Sequence, residues 1–289
     1  MLVRAKFNNV AQLILLNLIW SLNFPLIKIA EDDGASASGL TLIRFILGGI
    51  IILIIFSKEI HKFRFNLFKL FILGLLNSGL FVVLVFNALE YASSSLVSVL
   101  VYTNPFFVML LSVIKLNYRV RIFEVIGSIL GITGIVLISN LSFSGEMLGY
   151  LLALSASFTW ALGTVLYKLW NETEGKEEVF TALQVLIGGL PVGLIYLLID
   201  PISLPLSPID ITSYLFTSLL SQGIGFIIWF RLLRGSPTYA SIMIMSVPAL
   251  AAVLSFFFIL GEKITLTQVV GIFTVLLGLL TINIRRKLR

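Results

Sequence analysis

Two stretches of this sequence decide the fold: VAQLILLNLIWSLNFPLIKIA at 10–30 and MLGYLLALSASFTWALGTVLYKL at 147–169. Each is long and apolar enough for an α-helix to cross a bilayer, which takes about 20 residues. A shift of 140 positions places Trp20 on Trp160. The two stretches therefore read as two copies of one membrane-spanning helix.

The correspondence continues along the chain and indicates a duplication. The matching pairs at this shift are Lys28 with Lys168, Thr41 with Thr181, and Gly48-Gly49 with Gly188-Gly189. With small gaps, Pro105 then matches Pro248, Gly127 matches Gly271, and Gly134 matches Gly278. Each half holds five apolar stretches, and five is an odd number, so the second copy must enter the membrane from the opposite face. The sequence predicts two inverted five-helix repeats, 1–140 and 141–289.

Composition supports a membrane protein throughout. Of 289 residues, 58% are hydrophobic and 12% are charged, whereas soluble domains are about 25% charged. The lengths of the apolar stretches fit helices rather than the roughly 10-residue spans of a β-barrel. We therefore predict an all-α polytopic membrane protein with ten transmembrane helices, at about 10–30, 39–57, 65–88, 94–115, 121–140, 147–169, 179–199, 210–233, 238–260 and 265–284.

The Lys and Arg residues predict the orientation. With the N-terminus inside, 17 of the 20 basic residues fall on the cytoplasmic side, and only Lys28, Arg44 and Lys263 fall toward the other. Cytoplasmic loops carry such an excess. We predict a multi-pass protein of the plasma membrane with both termini in the cytoplasm. Four acidic residues, Glu172, Glu174, Glu177 and Glu178, read as a solvated connector between the halves.

Several kinds of chemistry have no residues to support them. The sequence has no cysteine, and its one histidine, His61, lies in a basic loop. No metal site and no cofactor are predicted. The net charge of +6 comes from short loops and does not indicate nucleic-acid binding, because scattered loop cations orient membrane proteins.

Two inverted halves facing each other are typical of secondary carriers, with the substrate site near the bilayer midplane. On the first span, Asn17, Trp20, Phe24 and Lys28 share one helical face. The matching face of the sixth span carries Trp160, Thr164 and Lys168. These faces are predicted to be cavity walls, with a lysine at each mouth. The alternative is that the tryptophans belong to interfacial belts and the lysines extend to head groups.

Arg44 lies inside the second span, where burying a charge costs about 2.5 to 3.5 kcal/mol or more. It is therefore expected to face water, a partner or a substrate, and it suits a carboxylate or phosphate. Gln184 occupies the matching place on the seventh span. The alternative is that Arg44 reaches outward toward Glu31 to Asp33.

Further polar and aromatic candidates lie on other spans. The substrate site is predicted to include Asn77, Ser78, Tyr102, Asn104, Gln222, Trp229 and Met245. Proline removes a backbone donor and frees a carbonyl four residues earlier. Helix breaks are accordingly predicted at Pro25, Pro105 and Pro248, with simple kinks as the alternative.

Glycines on the fifth and tenth spans point to close helix packing. Gly127, Gly131 and Gly134 are matched by Gly271 and Gly278, and small residues let membrane helices approach. These two spans are predicted to stand outside the cavity, as supports or as a surface for a homodimer.

The sequence resembles the EamA-type carriers of the drug/metabolite transporter superfamily. The resemblance rests on the tryptophan in the first helix of each half, Arg44 followed by Gly48-Gly49, Pro105 with Pro248, and Gly261-Glu262. It implies a ten-helix inverted-repeat fold, set in membrane lipid, that moves small organic metabolites, often amino acids and often outward. The first half departs from the pattern where Asn117-Tyr118 stands in place of Gly-Glu.

Two other functions stay open as alternatives. An intramembrane enzyme would need paired acids for magnesium or a nucleophile with its base, and Asp32-Asp33 is the only adjacent acidic pair outside the connector. A channel would need an ion-selective ring or an open pore. A secondary carrier fits the sequence better than either.

Overall fold

The structure is a computed structural model that describes residues 2–61, 66–91, 97, 100–138, 147–170, 176–254 and 265–284. Within these ranges the chain is helical and forms no strand. The helices are α1 (Leu2–Asp32), α2 (Ala37–Ile55), α3 (Leu67–Gly74, the π-helical turn Leu75–Gly79 and Leu80–Tyr91), α4 (Asn104–Leu116), α5 (Ile122–Ile138), α6 (Met147–Trp170), α7 (Glu177–Gln184, the π-helical turn Val185–Gly189 and Leu190–Tyr196), α8 (Pro208–Leu215, the π-helical stretch Phe216–Gly225 and Phe226–Leu233), α9 (Pro237–Met243, the 3-10 turn Ile244–Ser246 and Val247–Leu254) and α10 (Leu266–Ile284). A one-turn helix, Ser57–Ile60, follows α2.

Side-chain caps fix where several helices begin. Ser36 accepts the Gly39 N–H at the start of α2, and Asn66 accepts the Lys69 N–H at the start of α3. At α8, Ser207 and Asp210 bond reciprocally in a capping box, with Pro208 in the first turn. Such residues satisfy N–H groups that have no partner within the helix. The polar breaks between apolar stretches thus set the helix boundaries.

Six helices are long and apolar enough to cross a membrane by length and composition. They are α1, α2, α3, α6, α7 and α8. In the same described ranges α4, α5, α9 and α10 are shorter apolar helices. The chain is therefore an all-helical membrane protein, and the ten-span layout in two repeats stays a prediction.

The prolines differ in their effect on the backbone. Tyr102 and Thr103 form a turn before Pro105, and the 3-10 turn Ile244–Ser246 precedes Pro248. The predicted break at Pro25 is wrong, because α1 is helical on both sides of it. Proline removes one hydrogen bond, and the packing of α1 against α8 and α9 holds the two parts in one helix.

The acidic residues Glu177 and Glu178 are not part of a solvated connector, contrary to the prediction. They form the first turn of α7, where negative charge is favoured by the helix dipole. The Glu177 side chain is only 1% exposed and pairs with Arg234, while Glu178 pairs with Arg231. Glu172 and Glu174 lie outside the described residues.

Helices α5 and α10 pack against each other through their glycines. A Cβ on Gly134 would lie 2.6 Å from the Gly271 carbonyl oxygen, and one on Gly278 would lie 2.7 Å from the Gly127 carbonyl oxygen. The two backbones thus approach as closely as glycine allows. Because a contact within the chain covers this glycine face, it is not free to form a homodimer surface.

Candidate substrate site

Three tryptophans meet at the centre of the helix bundle. The ring centroids of Trp20 on α1, Trp160 on α6 and Trp229 on α8 are 5.6 to 5.7 Å apart in every pair. Their exposed fractions are 6%, 3% and 0%. The indoles are therefore buried against one another and against the protein.

Other aromatic rings extend this cluster. Phe81 on α3 lies 5.2 Å from Trp160 between ring centroids, Phe226 lies 5.5 Å from Trp20, and Tyr102 lies 6.4 Å from Trp160. Offset and edge-to-face pairs at such distances stabilise a cluster beyond the area that they bury. The cluster joins helices from both halves of the chain.

Two hydrogen bonds flank the tryptophans at matching places in the two halves. The Ser246 hydroxyl donates to Asn17 Oδ1 over 2.7 Å and joins α9 to α1. The Thr103 and Ser157 hydroxyls lie 3.2 Å apart and join the turn before α4 to α6. Asn17 matches Ser157 in the self-comparison, and Thr103 matches Ser246 with a small gap. Each first helix of a half thus contacts the broken helix of the other half in the same way.

Arg44 on α2 is held by a chain of polar contacts. Its Nε donates to Gln222 Oε1 over 2.8 Å, and Gln222 Nε2 donates to Ser78 Oγ over 3.4 Å. Arg44 is 8% exposed, while Gln222 and Ser78 are each 1% exposed. Three of the predicted site residues, from three helices, therefore form one connected group.

Many buried polar atoms among the described residues have no hydrogen-bond partner in the protein. Such atoms occur on Thr41, Asn77, Asn104, Trp160, Thr164, Gln184, Ser221 and Trp229, and for Asn77 and Gln184 they include both amide atoms. Buried polar groups are bonded in the large majority of cases. Those that belong to the tryptophan cluster itself, Trp160 Nε1 and Trp229 Nε1, are donors that a water or a polar ligand is able to accept.

Three π-helical segments position these groups. Asn77 and Ser78 lie in the π turn of α3, Ser221 and Gln222 lie in that of α8, and Gln184 directly precedes that of α7. A π turn changes the helical register by one residue and occurs often at functional sites. In α3 and α8 it falls at matching positions of the two halves.

The helix ends that carry Lys168, Arg231 and Arg234 are called here the inner end. Lys168 Nζ donates to the Arg234 carbonyl oxygen, and Arg234 pairs with Glu177. Lys69 Nζ lies 5.7 Å from the centroid of Trp170. Residues that the sequence assigns to the cytoplasm therefore contact one another. The side chains of Lys28, predicted at the opposite mouth, and of Phe24 lie outside the described part.

The opposite, outer end is held together by serine and aspartate. The Ser38 N–H donates to Asp200 Oδ2 over 2.8 Å, and the Ser36 N–H donates to the Ser203 carbonyl oxygen over 2.8 Å. A hydrogen bond with the Asp210 carboxyl raises the pKa of Asp33, and the charge on Asp210 adds to this effect. Residues assigned to the outside thus also lie together.

Two predicted residues serve the helix packing. Asn104 Nδ2 donates to the Ser157 carbonyl oxygen over 3.2 Å. Met245 lies against α5, since a Cβ on Gly131 would be 3.0 Å from the Met245 sulfur. Both are buried, and they support the wall between the broken helices and their neighbours.

Three residues of the site were not among the predicted set. Phe81 lies one turn after Ser78, Thr41 lies one turn before Arg44, and Ser221 accepts the Trp20 Nε1–H at its carbonyl oxygen over 3.4 Å. The match of Thr41 with Thr181 in the self-comparison could have pointed to Thr41, and the structure shows both to be buried with unbonded hydroxyls. The sequence holds no signal for Phe81, since one apolar residue on an apolar helix does not differ from its neighbours.

Comparison with known proteins gives the family. The EamA-like transporter family matches the chain twice, at residues 9–140 and 147–284. The chain belongs to the EamA-like transporter family. It is therefore a multi-pass membrane transporter of a small-molecule substrate, rather than an enzyme.

Named relatives in other organisms align with most of this chain. The chain is 29% identical over 285 residues to the uncharacterized transporter YvbV of Bacillus subtilis, and the alignment covers 93% of this chain and 90% of the relative. It is 28% identical over 245 residues to Protein PecM of Dickeya dadantii, covering 84% and 81%. A probable amino-acid metabolite efflux pump of Escherichia coli is 25% identical over 278 residues, covering 92% and 91%.

A solved crystal structure has the same fold. It superposes with a TM-score of 0.80 at 17% sequence identity, covering 95% of both chains. The helical arrangement described above is therefore that of a known fold.

Proposed function

We propose that this chain is a secondary carrier that exports small organic metabolites, such as amino acids or related compounds, by alternating access. The substrate site lies at the tryptophan cluster and the adjoining polar groups of α2, α3, α7 and α8. Opening toward either end would separate the indoles and expose the unbonded amides and hydroxyls to the substrate.

One observation carries the proposal: matched residues of the two halves make matched contacts around the centre. Trp20 meets its counterpart Trp160, and the Asn17–Ser246 and Thr103–Ser157 bonds flank them. Equivalent contacts of this kind are expected where two inverted repeats rock about a shared site. A scaffold protein has no comparable need for them.

The layout of the proposal is two inverted repeats, 1–140 and 141–289, that cross the membrane ten times. Two family matches in succession support it. So do the contacts between α5 and α10, which again join matched glycines. The shorter helices α4, α5, α9 and α10 supply the four crossings beyond the six long ones.

In the proposed orientation the protein spans the plasma membrane with its inner end facing the cytoplasm. Both termini of the chain then also lie in the cytoplasm. The grouping of Lys69, Lys168, Arg231 and Arg234 at one end supports it, as cytoplasmic loops favour Lys and Arg. Impermeant labelling of tags at the two ends of the chain in intact cells tests it. Labelling of either tag without permeabilisation contradicts it.

The names of two relatives support both the substrate class and the direction. Each of the Escherichia coli and Salmonella typhimurium relatives is named a probable amino-acid metabolite efflux pump, at 25% and 27% identity. Export of amino acids or related compounds is therefore the proposed activity.

Counterflow in proteoliposomes tests the carrier. Vesicles loaded with an unlabelled amino-acid mixture are expected to accumulate labelled amino acids transiently from outside. Trp20→Ala is expected to abolish the accumulation, and Trp170→Ala, at the inner end, to retain it. Flux that rises linearly with concentration and does not respond to the internal solute would indicate a channel and overturn the proposal.

A further inference from the structure

We infer that the substrate carries a carboxylate that binds the Arg44 guanidinium and an apolar body that lies against Trp20 and Trp160. This inference rests on the proposed carrier function and specifies the chemical class of its substrate. Four features of the site support it. They are the unused N–H donors of Arg44, the neutral residue at the matching position of the second half, the contacts that link Arg44 to the tryptophan cluster, and the single positive charge of the site.

Arg44 uses one of its five N–H donors in contacts with the described residues. A guanidinium presents five donors in a planar fork, and here the Nε–H alone is bonded, to Gln222. Among the described residues no carboxylate forms an ion pair with Arg44. The residue is nevertheless 8% exposed. The Nη1 and Nη2 groups, which form the end of the fork, are thus left for a ligand.

A buried charge without a counterion is strongly unfavourable. The fold does not need a cation here, because the matching position in the second half is the neutral and fully buried Gln184. A requirement of helix packing would be expected to apply to both halves. The charge at Arg44 is therefore better explained by an anion that arrives from outside the protein.

Contacts link Arg44 to the tryptophan cluster. Arg44 bonds Gln222, and Gln222 follows Ser221, whose carbonyl oxygen accepts the Trp20 Nε1–H. Trp160 and Trp229 lie against Trp20 in turn. A ligand bound at the Arg44 fork therefore lies beside indole surfaces.

The orientation of the fork suits a carboxylate. Gln222 holds Nε, and Ser78 holds Gln222, so the guanidinium plane is fixed before the ligand binds. A fixed guanidinium edge forms two parallel hydrogen bonds with a carboxylate. Arg44 is one cation with no second cation among its described contacts, so a monoanion is favoured over a phosphate dianion.

Binding of four phenyl compounds to the purified wild-type chain tests this inference. The probes are 3-phenylpropionate, its neutral amide 3-phenylpropanamide, the cation 3-phenylpropylamine and the dianion phenyl phosphate, followed by thermal shift and tryptophan fluorescence. We expect 3-phenylpropionate to bind at least about tenfold tighter than the other three, since a charge-assisted hydrogen bond contributes that much. Propionate, which lacks the ring, is expected to bind more weakly.

Variants assign the preference to Arg44. Arg44→Gln introduces the residue found in the second half. It is expected to weaken binding of the carboxylate far more than binding of the amide, so that the preference for the carboxylate is lost. Arg44→Lys is expected to keep part of the preference. Arg231→Gln, at the inner end, is the matched control and is expected to keep all of it.

Equal wild-type affinity for the carboxylate and the amide would overturn the inference, as would a preference that survives Arg44→Gln or a tighter phenyl phosphate complex. If Arg44→Gln does not fold, the binding of the four probes to the wild type and to Arg44→Lys still tests whether Arg44 selects the carboxylate. Counterflow of amines or neutral solutes alone would refute the carboxylate and leave the carrier intact. Absence of counterflow for every solute would refute the carrier itself.

Discussion

The indole rings of Trp20 and Trp160 meet edge to face with their centroids 5.6 Å apart, although 140 positions separate the two residues in the chain. Trp229 lies within 5.7 Å of both. The middle of the bundle is thus built from matched helices of the two halves. Among the polar atoms around it, Trp160 Nε1 and Trp229 Nε1 are buried with no hydrogen-bond partner among the described residues.

Trp160→Phe separates recognition from packing. Trp160 Nε1 is buried and has no partner in the protein, so the phenyl ring should keep the fold while it removes a donor available to the substrate. We expect normal membrane insertion and a loss of substrate affinity of about 0.5 to 1.5 kcal/mol, the usual contribution of one hydrogen bond. Trp170→Phe is the control, and unchanged counterflow KM in Trp160→Phe would remove this N–H from the site.

The two matched hydrogen bonds should contribute similar amounts to stability. Ser246→Ala removes the bond to Asn17, and Thr103→Val removes the one to Ser157. Each is expected to cost about 0.5 to 1.5 kcal/mol, and the two costs are expected to add because the sites share no partner. Unfolding in mixed micelles measures them. Thr133→Val, at an exposed position on α5, should be neutral, and a cost confined to one half would contradict the equivalence.

The ion pairs at the inner end should differ in strength. Glu177 is 1% exposed and engages Arg234, whereas Glu178 is 16% exposed and engages Arg231. Glu177→Gln is expected to cost about 1.5 to 3 kcal/mol of unfolding free energy, and Glu178→Gln about 0 to 1 kcal/mol, as exposed pairs do. Thermal unfolding of the two variants in parallel checks this order, and equal losses would disagree with it.

Asp33→Asn should stabilise the outer end at neutral pH. The pKa of Asp33 is raised by its hydrogen bond and charge interaction with Asp210, so the folded state is more stable when Asp33 is protonated. This added stability is fully present below the pKa that Asp33 has in the unfolded chain. It is lost as the pH rises through the pKa that Asp33 has in the folded protein. The variant should therefore melt above wild type at pH 7.5, with the gap narrowing toward pH 4. A gap that widens on acidification would be inconsistent with this sign.

The duplicated pattern made the centre of the fold predictable. Trp20 and Trp160 were matched by sequence alone, and the structure brings their rings into contact. Arg44 was recognisable because a guanidinium inside an apolar span needs a reason to be there. Both inferences rest on single residues whose chemistry is unusual for their position.

Other features depend on information that residue patterns do not hold. The π turns in α3, α7 and α8 were not predicted, because apolar periodicity does not register a shift of one residue. Glu177 looked solvated because its partner Arg234 is distant in the chain. Asn117, where the resemblance expects glycine, adopts φ 51°, a left-handed conformation that asparagine tolerates. The departure from the pattern thus keeps the backbone role.

Labelling of a single cysteine at Thr164 tests alternating access most directly, because the chain has no native cysteine. Thr164 lies one turn after Trp160 and is fully buried, with an unbonded hydroxyl. We predict that an impermeant thiosulfonate labels Thr164→Cys from the outside of right-side-out vesicles and from the inside face in inverted vesicles. Ile50→Cys, exposed on the side of α2, should react from neither side. Reaction of Thr164→Cys from one face only would contradict a site that opens alternately to both.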